Sequence, residues 1–331
     1  MKSKTLEHFE MYNREFNLRK YYEVVHDVDI RNDEDEFYKL LMEATFKSSP
    51  RLKDKTIDFE KEYESKIKDN DEAKKELFQT YAVLGMMGFW LEYKQIYKFD
   101  VDTLEMVMSS ECKDLTSEEI KSLKMPYECF AIENEIPYRD VVIDSTMISK
   151  RYNEESGSTL LSIYGYVKES VSQKMLRLDI IIENNNTLFN YIDENAQDDC
   201  QDFIKKIMNL VMYLCQPKVD KVVKAIRHKN NGNKKEIKKE IPKHFYNIDY
   251  EHNEIGVKLG NAIRNYRIVY EKGDSLSNPN GKKRVVKPHT RCGHYHHYWI
   301  GKGRTDLIVK YIEPTFVLGG NKVATMHKVK N

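Results

Sequence analysis

The groups best able to do chemistry lie close together near the C-terminal end, in Lys287-Pro288-His289-Thr290-Arg291-Cys292-Gly293-His294-Tyr295-His296-His297-Tyr298-Trp299-Ile300-Gly301-Lys302-Gly303-Arg304. Four of the ten histidines and one of the two tryptophans fall in this stretch, together with four basic residues, Lys287, Arg291, Lys302 and Arg304. In an extended chain alternate side chains face opposite ways. His294, His296 and Tyr298 would then share one face, and Tyr295, His297 and Trp299 the other. His289 and Arg291 lie upstream of Gly293, where the chain can bend towards the first face.

Three chemistries suit these residues. First, His294 and His296, two apart on a strand, could hold a divalent metal with His289 or Cys292; neutral imidazole suits zinc or manganese. Second, His289, His294 and His296 could serve as general acid and base in metal-free RNA cleavage, since the imidazole pKa allows both proton transfers near neutral pH. Arg291, Lys302 or Arg304 would then offset phosphate charge. Third, the stretch could be a binding surface. Lys287, His289, Arg291, His294, Tyr295, His296, Tyr298, Trp299, Lys302 and Arg304 could stack on bases and hold phosphates, or grip a peptide. Plain packing of rings in a strand is the fourth reading. No Asp or Glu lies in the stretch to complete a hydrolytic site. That favours binding over catalysis and gives no reason to expect a cofactor, a divalent metal being the alternative.

The elements that must position this stretch can be read from periodicity and punctuation. Gly301-Lys302-Gly303 reads as a turn and Leu307–Ile312 as a returning strand that Pro314 ends, so the chain closes on a β-hairpin. Upstream, residues 1–25, 36–48 and 57–69 read as helices, the last of them as an exposed helix or arm. A longer helix begins after Asp69-Asn70-Asp71 and buries Leu77, Tyr81, Leu84, Met87, Trp90 and Leu91. Asp102 with Glu105 and Thr116 with Glu119 have the spacing of capping boxes before short helices. From Met125-Pro126 to about Leu188 the period becomes two, which predicts three to five antiparallel strands. A helix beginning at Asp193 or Asn195 runs through Leu214 and stops at Pro217, and Ile255–Tyr266 forms another. Lys221–Lys243 reads as a basic, solvated loop. The fold class is α+β: a helical region 1–124, then an α+β region 125–331 with basic loop 221–243 and the hairpin at 287–317.

Composition sets the outer limits. A chain of 331 residues with 40% apolar and 11% aromatic residues is folded and large enough for two subdomains. The five scattered cysteines lack framework spacing and read as free thiols in a reducing compartment. No apolar run approaches the 18 residues or so of a membrane span. The expected setting is the cytoplasm. The net charge of +1 hides a split, +15 over residues 221–331 and −14 over residues 1–220. Such asymmetry points to nucleic acid or an acidic partner surface, or to attraction between the two parts of one fold.

These residues also resemble a known family. Lys287-Pro288-His289 through Gly301 is similar to the signature of the second-described type V-A anti-CRISPR family, in which a basic-Pro-His unit precedes Arg, Gly-His-aromatic-His and Tyr-Trp. The similarity continues to Pro314 and Phe316-Val317. Weaker matches run in order along the chain: Ile96-Tyr97 with Asp100, Cys129 after Pro126, Leu214-Cys215 before Pro217, and Ile255-Gly256 with Leu259-Gly260 and Arg264-Tyr266. Cys292 and Tyr295 depart from the family pattern, which argues against a catalytic Cys292. The resemblance implies a protein of a phage or mobile element, acting in the bacterial cytoplasm. It implies recognition of the nascent N-terminal peptide of the type V-A CRISPR effector nuclease and loss of its messenger RNA, with the messenger or the ribosome as a further partner and no membrane. On that footing an adaptor is expected, and the alternative is a histidine-dependent ribonuclease or a general RNA-binding protein of a mobile element with a different target.

Overall fold

The structure is a computed structural model. It describes residues 3–25, 34–48, 58–110, 114–152, 158–168, 175–182, 187, 188, 190, 191, 198–216, 218–227, 244, 245, 248–273, 289–291, 294–300, 302, 303, 306–312, 315–318 and 322–324. Of the expected loops, most of 27–36 and all of 228–243 and 274–283 lie outside them, as do Lys287, Cys292 and Arg304.

The N-terminal region is helical, as the periodicity predicts. Helix α1 spans Lys4–Phe16 and α2 Leu18–Val25; Asn17 between them is left-handed at φ 44°. Next come α3, Glu34–Ser48, and α4, Phe59–Lys66, with Asp58 as its N-cap. Helix α5 runs Asp71–Tyr93, and the Asn70 side chain accepts from the Ala73 N–H to cap it. It continues through Gly85 and Gly88 and buries Leu84, Met87 and Trp90 completely.

Beyond α5 the chain departs from the expectation. Gln95–Phe99 is a strand, β1, before α6 at Val101–Met108 and α7 at Ser117–Ser122. Thr116 and Glu119 form the predicted capping box on α7. On α6 the N-cap is Asp100, whose carboxylate accepts from the Asp102 N–H, and not Asp102 as the spacing suggested. The period-two region yields five strands: β2 (Cys129–Ile132), β3 (Ile136–Tyr138), β4 (Val141–Tyr152), β5 (Thr159–Val167) and β6 (Met175–Ile182). Helix α8 spans Asp198–Leu214. Lys221–Ile226, expected as the start of a loop, is strand β7. β8 (Tyr250–Ile255) takes Ile255, which the helical spacing had assigned to the next element, and α9 is Val257–Gly273.

These strands form one eight-stranded sheet in the order β6-β5-β4-β2-β1-β8-β7, with β3 also on β4. β2 to β6 pair antiparallel, as predicted. The middle of the sheet is parallel, since β1 runs with both β2 and β8. The sheet is therefore mixed, within the α+β class expected.

Strand alternation distributes side chains to two apolar layers. Tyr97, Phe99, Phe130, Ile132, Ile148 and Ile163 pack on one face with α6 to α9, through residues such as Val107, Ile120, Ile207 and Ile263. Ile96, Cys129, Ala131, Met147, Tyr164 and Tyr166 pack on the other with α1, α2 and α5, through Phe9, Leu18 and Trp90. A strand covered on both faces needs no polar alternate, so CFAI of β2 is buried throughout. Each fully buried side chain of this size stabilises the fold by roughly 1.5–3 kcal/mol.

Helix α1 is tied to the sheet by buried polar groups. Glu133 accepts from the Thr5 N–H at 2.9 Å and from the Ser3 hydroxyl. His8 Nε2 lies 2.7 Å from Asp144, and its ring stacks on Tyr166 at 4.9 Å. The buried Glu10 carboxylate accepts from the Phe245 N–H at 2.9 Å.

Candidate functional site

The signature stretch contributes strands to two antiparallel pairings, in separate small sheets. β10 (His294–Ile300) pairs with β11 (Asp306–Ile312), from His294 opposite Ile312 to Ile300 opposite Asp306. β9 (His289–Arg291) pairs with β12 (Thr315–Leu318), with Arg291 opposite Thr315. The two pairings share one register: three residues back on one arm meet three residues forward on the other. β13 (Lys322–Ala324) adds a strand beyond β12. The expected hairpin is thus present, with Lys302 and Gly303 exposed in its turn and Gly303 at φ 89°.

The strand period places His294, His296 and Tyr298 on one face, and all three are exposed. Their rings form a row. The His294 and His296 centroids are 6.2 Å apart, and those of His296 and Tyr298 are 5.1 Å apart. Register puts Ile312, Lys310 and Ile308 opposite these three residues. The Lys310 ammonium lies 5.8 Å from the Tyr298 ring centroid, within reach of a cation–π contact. No carboxylate is directly opposite; Asp306, the acid of β11, faces Ile300. Two imidazoles, a phenol and an ammonium make a surface for rings and anions.

The other sequence candidates are spread over several places. His289 and Arg291 lie on β9, in the three-stranded sheet with β12 and β13 and not beside His294 on β10. Tyr295 and Trp299 occupy the alternate positions of β10. Lys287 and Arg304 lie outside the described residues, as does Cys292. Among the described residues no group of three or more His, Cys, Asp and Glu side chains could hold a metal ion. Two described thiols are poor nucleophiles: burial raises the Cys129 pKa and pushes that of Cys215 up to about 12.

A second cluster was not legible as a site. It sits where β1 passes into α6 and β8 into α9, at the same end of two parallel strands. Arg264 on α9 clamps Asp100 with both arms, at 3.0 and 2.9 Å, and also bonds Asp102. These bonds raise the guanidinium above its already high range, Asp100 contributing most. Arg267 bonds Asp102 as well. Thr103 donates to the Gly256 carbonyl at 2.6 Å, and Gly256 has φ 71°. A Cβ on Gly260 would lie 1.8 Å from Asp100 Oδ1. The carboxylates and the guanidinium satisfy each other, so the cluster is a joint between two strand-helix turns. Its two halves, residues 100–103 and 256–267, are more than 150 residues apart in sequence, and only the scattered matches at Asp100, Gly256, Gly260 and Arg264 hinted at them.

These scattered positions therefore converge in space, and the two strands of the specific stretch pair with their partners in a common register. A search of curated proteins gave no match. The chain is similar in fold to a solved structure titled "Crystal structure of AcrVA2", with a TM-score of 0.57 and 18% identity, over 96% of this chain and 100% of that one. The sequence profile described as "AcrVA2-like: Anti-CRISPR type V subtype A2 family" matches residues 97–319, well over half of the chain, from β1 through the joint to the hairpin. This chain belongs to the AcrVA2-like, anti-CRISPR type V subtype A2 family.

Proposed function

We propose that this protein is an anti-CRISPR adaptor that suppresses biosynthesis of a type V-A CRISPR effector nuclease in the bacterial cytoplasm. It recognises the nascent N-terminal peptide of the nuclease and brings about loss of the messenger RNA being translated. Membership of the anti-CRISPR family supports the inhibitory role. One observation favours an adaptor over a ribonuclease: the stretch Lys287–Arg304 carries four histidines but no Asp or Glu of its own to orient or activate them. A histidine acid–base pair is usually held by such a partner. In this reading the hairpin is a recognition surface, and host factors degrade the message.

The test is expression of the nuclease in cells with and without this protein. Messenger and protein should both fall, and recoding the N-terminal peptide to a different amino-acid sequence should abolish the fall. Synonymous recoding should leave it in place. Unchanged nuclease levels would overturn the proposal. Cleavage of the purified message by the purified protein, lost in His294→Ala, would favour the ribonuclease.

A further inference from the structure

The ring row on β10 has a geometry that suits one class of ligand. Residues two apart on a strand are about 6.6 Å apart. The ring centroids themselves stand 6.2 and 5.1 Å apart, well beyond the ~3.4 Å rise of a stacked nucleic-acid strand. A row at this stride cannot follow bases stacked in a helix, but it can meet bases of an extended single strand one at a time. We propose that His294, His296 and Tyr298 form a three-ring platform for consecutive unpaired bases of single-stranded RNA, with Lys310 as a phosphate contact. This rests on the adaptor reading and assigns the hairpin face to RNA rather than to the peptide.

Four observations carry it. All three rings are exposed on one face, and Tyr298 remains 41% exposed despite being a large aromatic residue. The rings lie 6.2 and 5.1 Å apart, too close for a base to slide between them, so bases are received on the row's outer side. The one cation described beside the row, Lys310, is exposed, and its ammonium lies 5.8 Å from the Tyr298 centroid, near enough to reach a phosphate flanking a base on the row. Residues 281–331 hold eleven Lys or Arg against two acids, Asp306 and Glu313, so little on this segment repels a polyanion. Stacking on rings with a basic flank is how proteins hold single strands with little sequence preference. An A-form duplex hides its base faces and offers such a row nothing to stack on.

The test uses the full-length protein and a fluorescently labelled, unstructured single-stranded RNA of about ten nucleotides, within the site size of known single-strand binders. Binding is read by anisotropy over a salt series, with a duplex of the same length beside it. The platform predicts binding to the single strand and markedly weaker binding to the duplex. Tyr298→Ala should weaken single-strand binding on the order of tenfold, while Tyr298→Phe, which keeps the ring, should restore it. Lys310→Ala should lower the slope of log affinity against log salt by about 0.7, one phosphate's share. A circular dichroism melt of each variant checks that the fold is kept. Equal binding to the duplex, or affinity unchanged in His296→Ala and Tyr298→Ala together, would overturn the platform. So would binding of the nuclease N-terminal peptide, but no RNA, in a way that Tyr298→Ala abolishes. Parallel measurement of nuclease levels in cells separates the two ideas: wild-type protein that lowers the nuclease but binds no RNA sinks the platform alone.

Discussion

The joint at Asp100 and the face of β10 are both dense in polar and charged side chains, yet they stand at opposite extremes. At the joint every charge faces a counter-charge on another element: Arg264 on α9 against Asp100 and Asp102 at the start of α6. Backbone closeness there depends on glycine, at Gly256 and Gly260. On β10 the rings project outward, and their neighbours across the ladder are two isoleucines and a lysine. A mutually satisfied cluster is already complete and serves the fold. An exposed row of rings leaves its faces open to solvent, which is where the proposed platform would act. Of the specific family resemblance, His294, His296 and Tyr298 lie on the exposed face; of the scattered matches, Asp100, Gly256, Gly260 and Arg264 lie at the joint.

The contrast can be broken first at the joint. Gly260→Ala puts a methyl where Asp100 Oδ1 sits, and Asp100 cannot yield without leaving both its cap and Arg264. The expected cost is about 3 kcal/mol, seen as an earlier midpoint in urea with little change of slope. A midpoint at the wild-type value would mean that the joint is loose. Next, Asp100→Ala removes the N-cap of α6 and should cost about 1–2 kcal/mol, with Asp100→Asn recovering part of it because Asn caps as well as Asp. Equal losses in the two variants would instead put the weight on the Arg264 ion pair.

A smaller effect is expected at His252 on β8, between β1 and β7. Burial lowers its pKa below 6.5, outweighing the pull of Glu133 and Glu254. The unfolded chain then binds the proton more readily, so stability should fall as pH drops from about 6.5 through the folded value and level off below it. Above about pH 6.5 this group contributes no slope. His252→Gln should flatten that part of a stability–pH curve; an unchanged curve would assign the slope to other groups.

The smallest effect on stability is expected on the hairpin face, where the contrast is sharpest. His296→Ala should shift stability by no more than about 0.5 kcal/mol, as for an ordinary surface position, while suppression of the nuclease weakens. A large drop in melting temperature with suppression intact would make the row structural and erase the difference between the two regions.

How much of this was legible in the chain depends on range. The N-terminal helices, the strands β2, β4, β5 and β6 and the β10–β11 pairing announce themselves by period, caps and turns, which act within a few residues; the break at Asn17 between α1 and α2 and strand β3 across Pro137 do not. β1 escaped notice because QIYKF is only five residues long and comes straight after a 23-residue helix without a proline or glycine to mark the change. β8 escaped because YEHNEI looks polar. Its Asn253 is nevertheless fully buried, donating to the Ile96 carbonyl at 3.1 Å and to Gln95 at 3.2 Å. Lys221–Ile226 read as a loop because lysines flank its valines, but an edge strand has solvent on its open side and tolerates them.

The sequence by itself determined the α+β class, the face shared by His294, His296 and Tyr298, and the pairing of the two hairpin arms, since alternation and turn chemistry are local. Only the tertiary structure decided that β1 and β8 lie parallel at the centre of the sheet and that Asp100 meets Gly260 and Arg264. Parallel pairing joins segments far apart in the chain and leaves no mark on the local period. Its partners are chosen by what the whole chain buries.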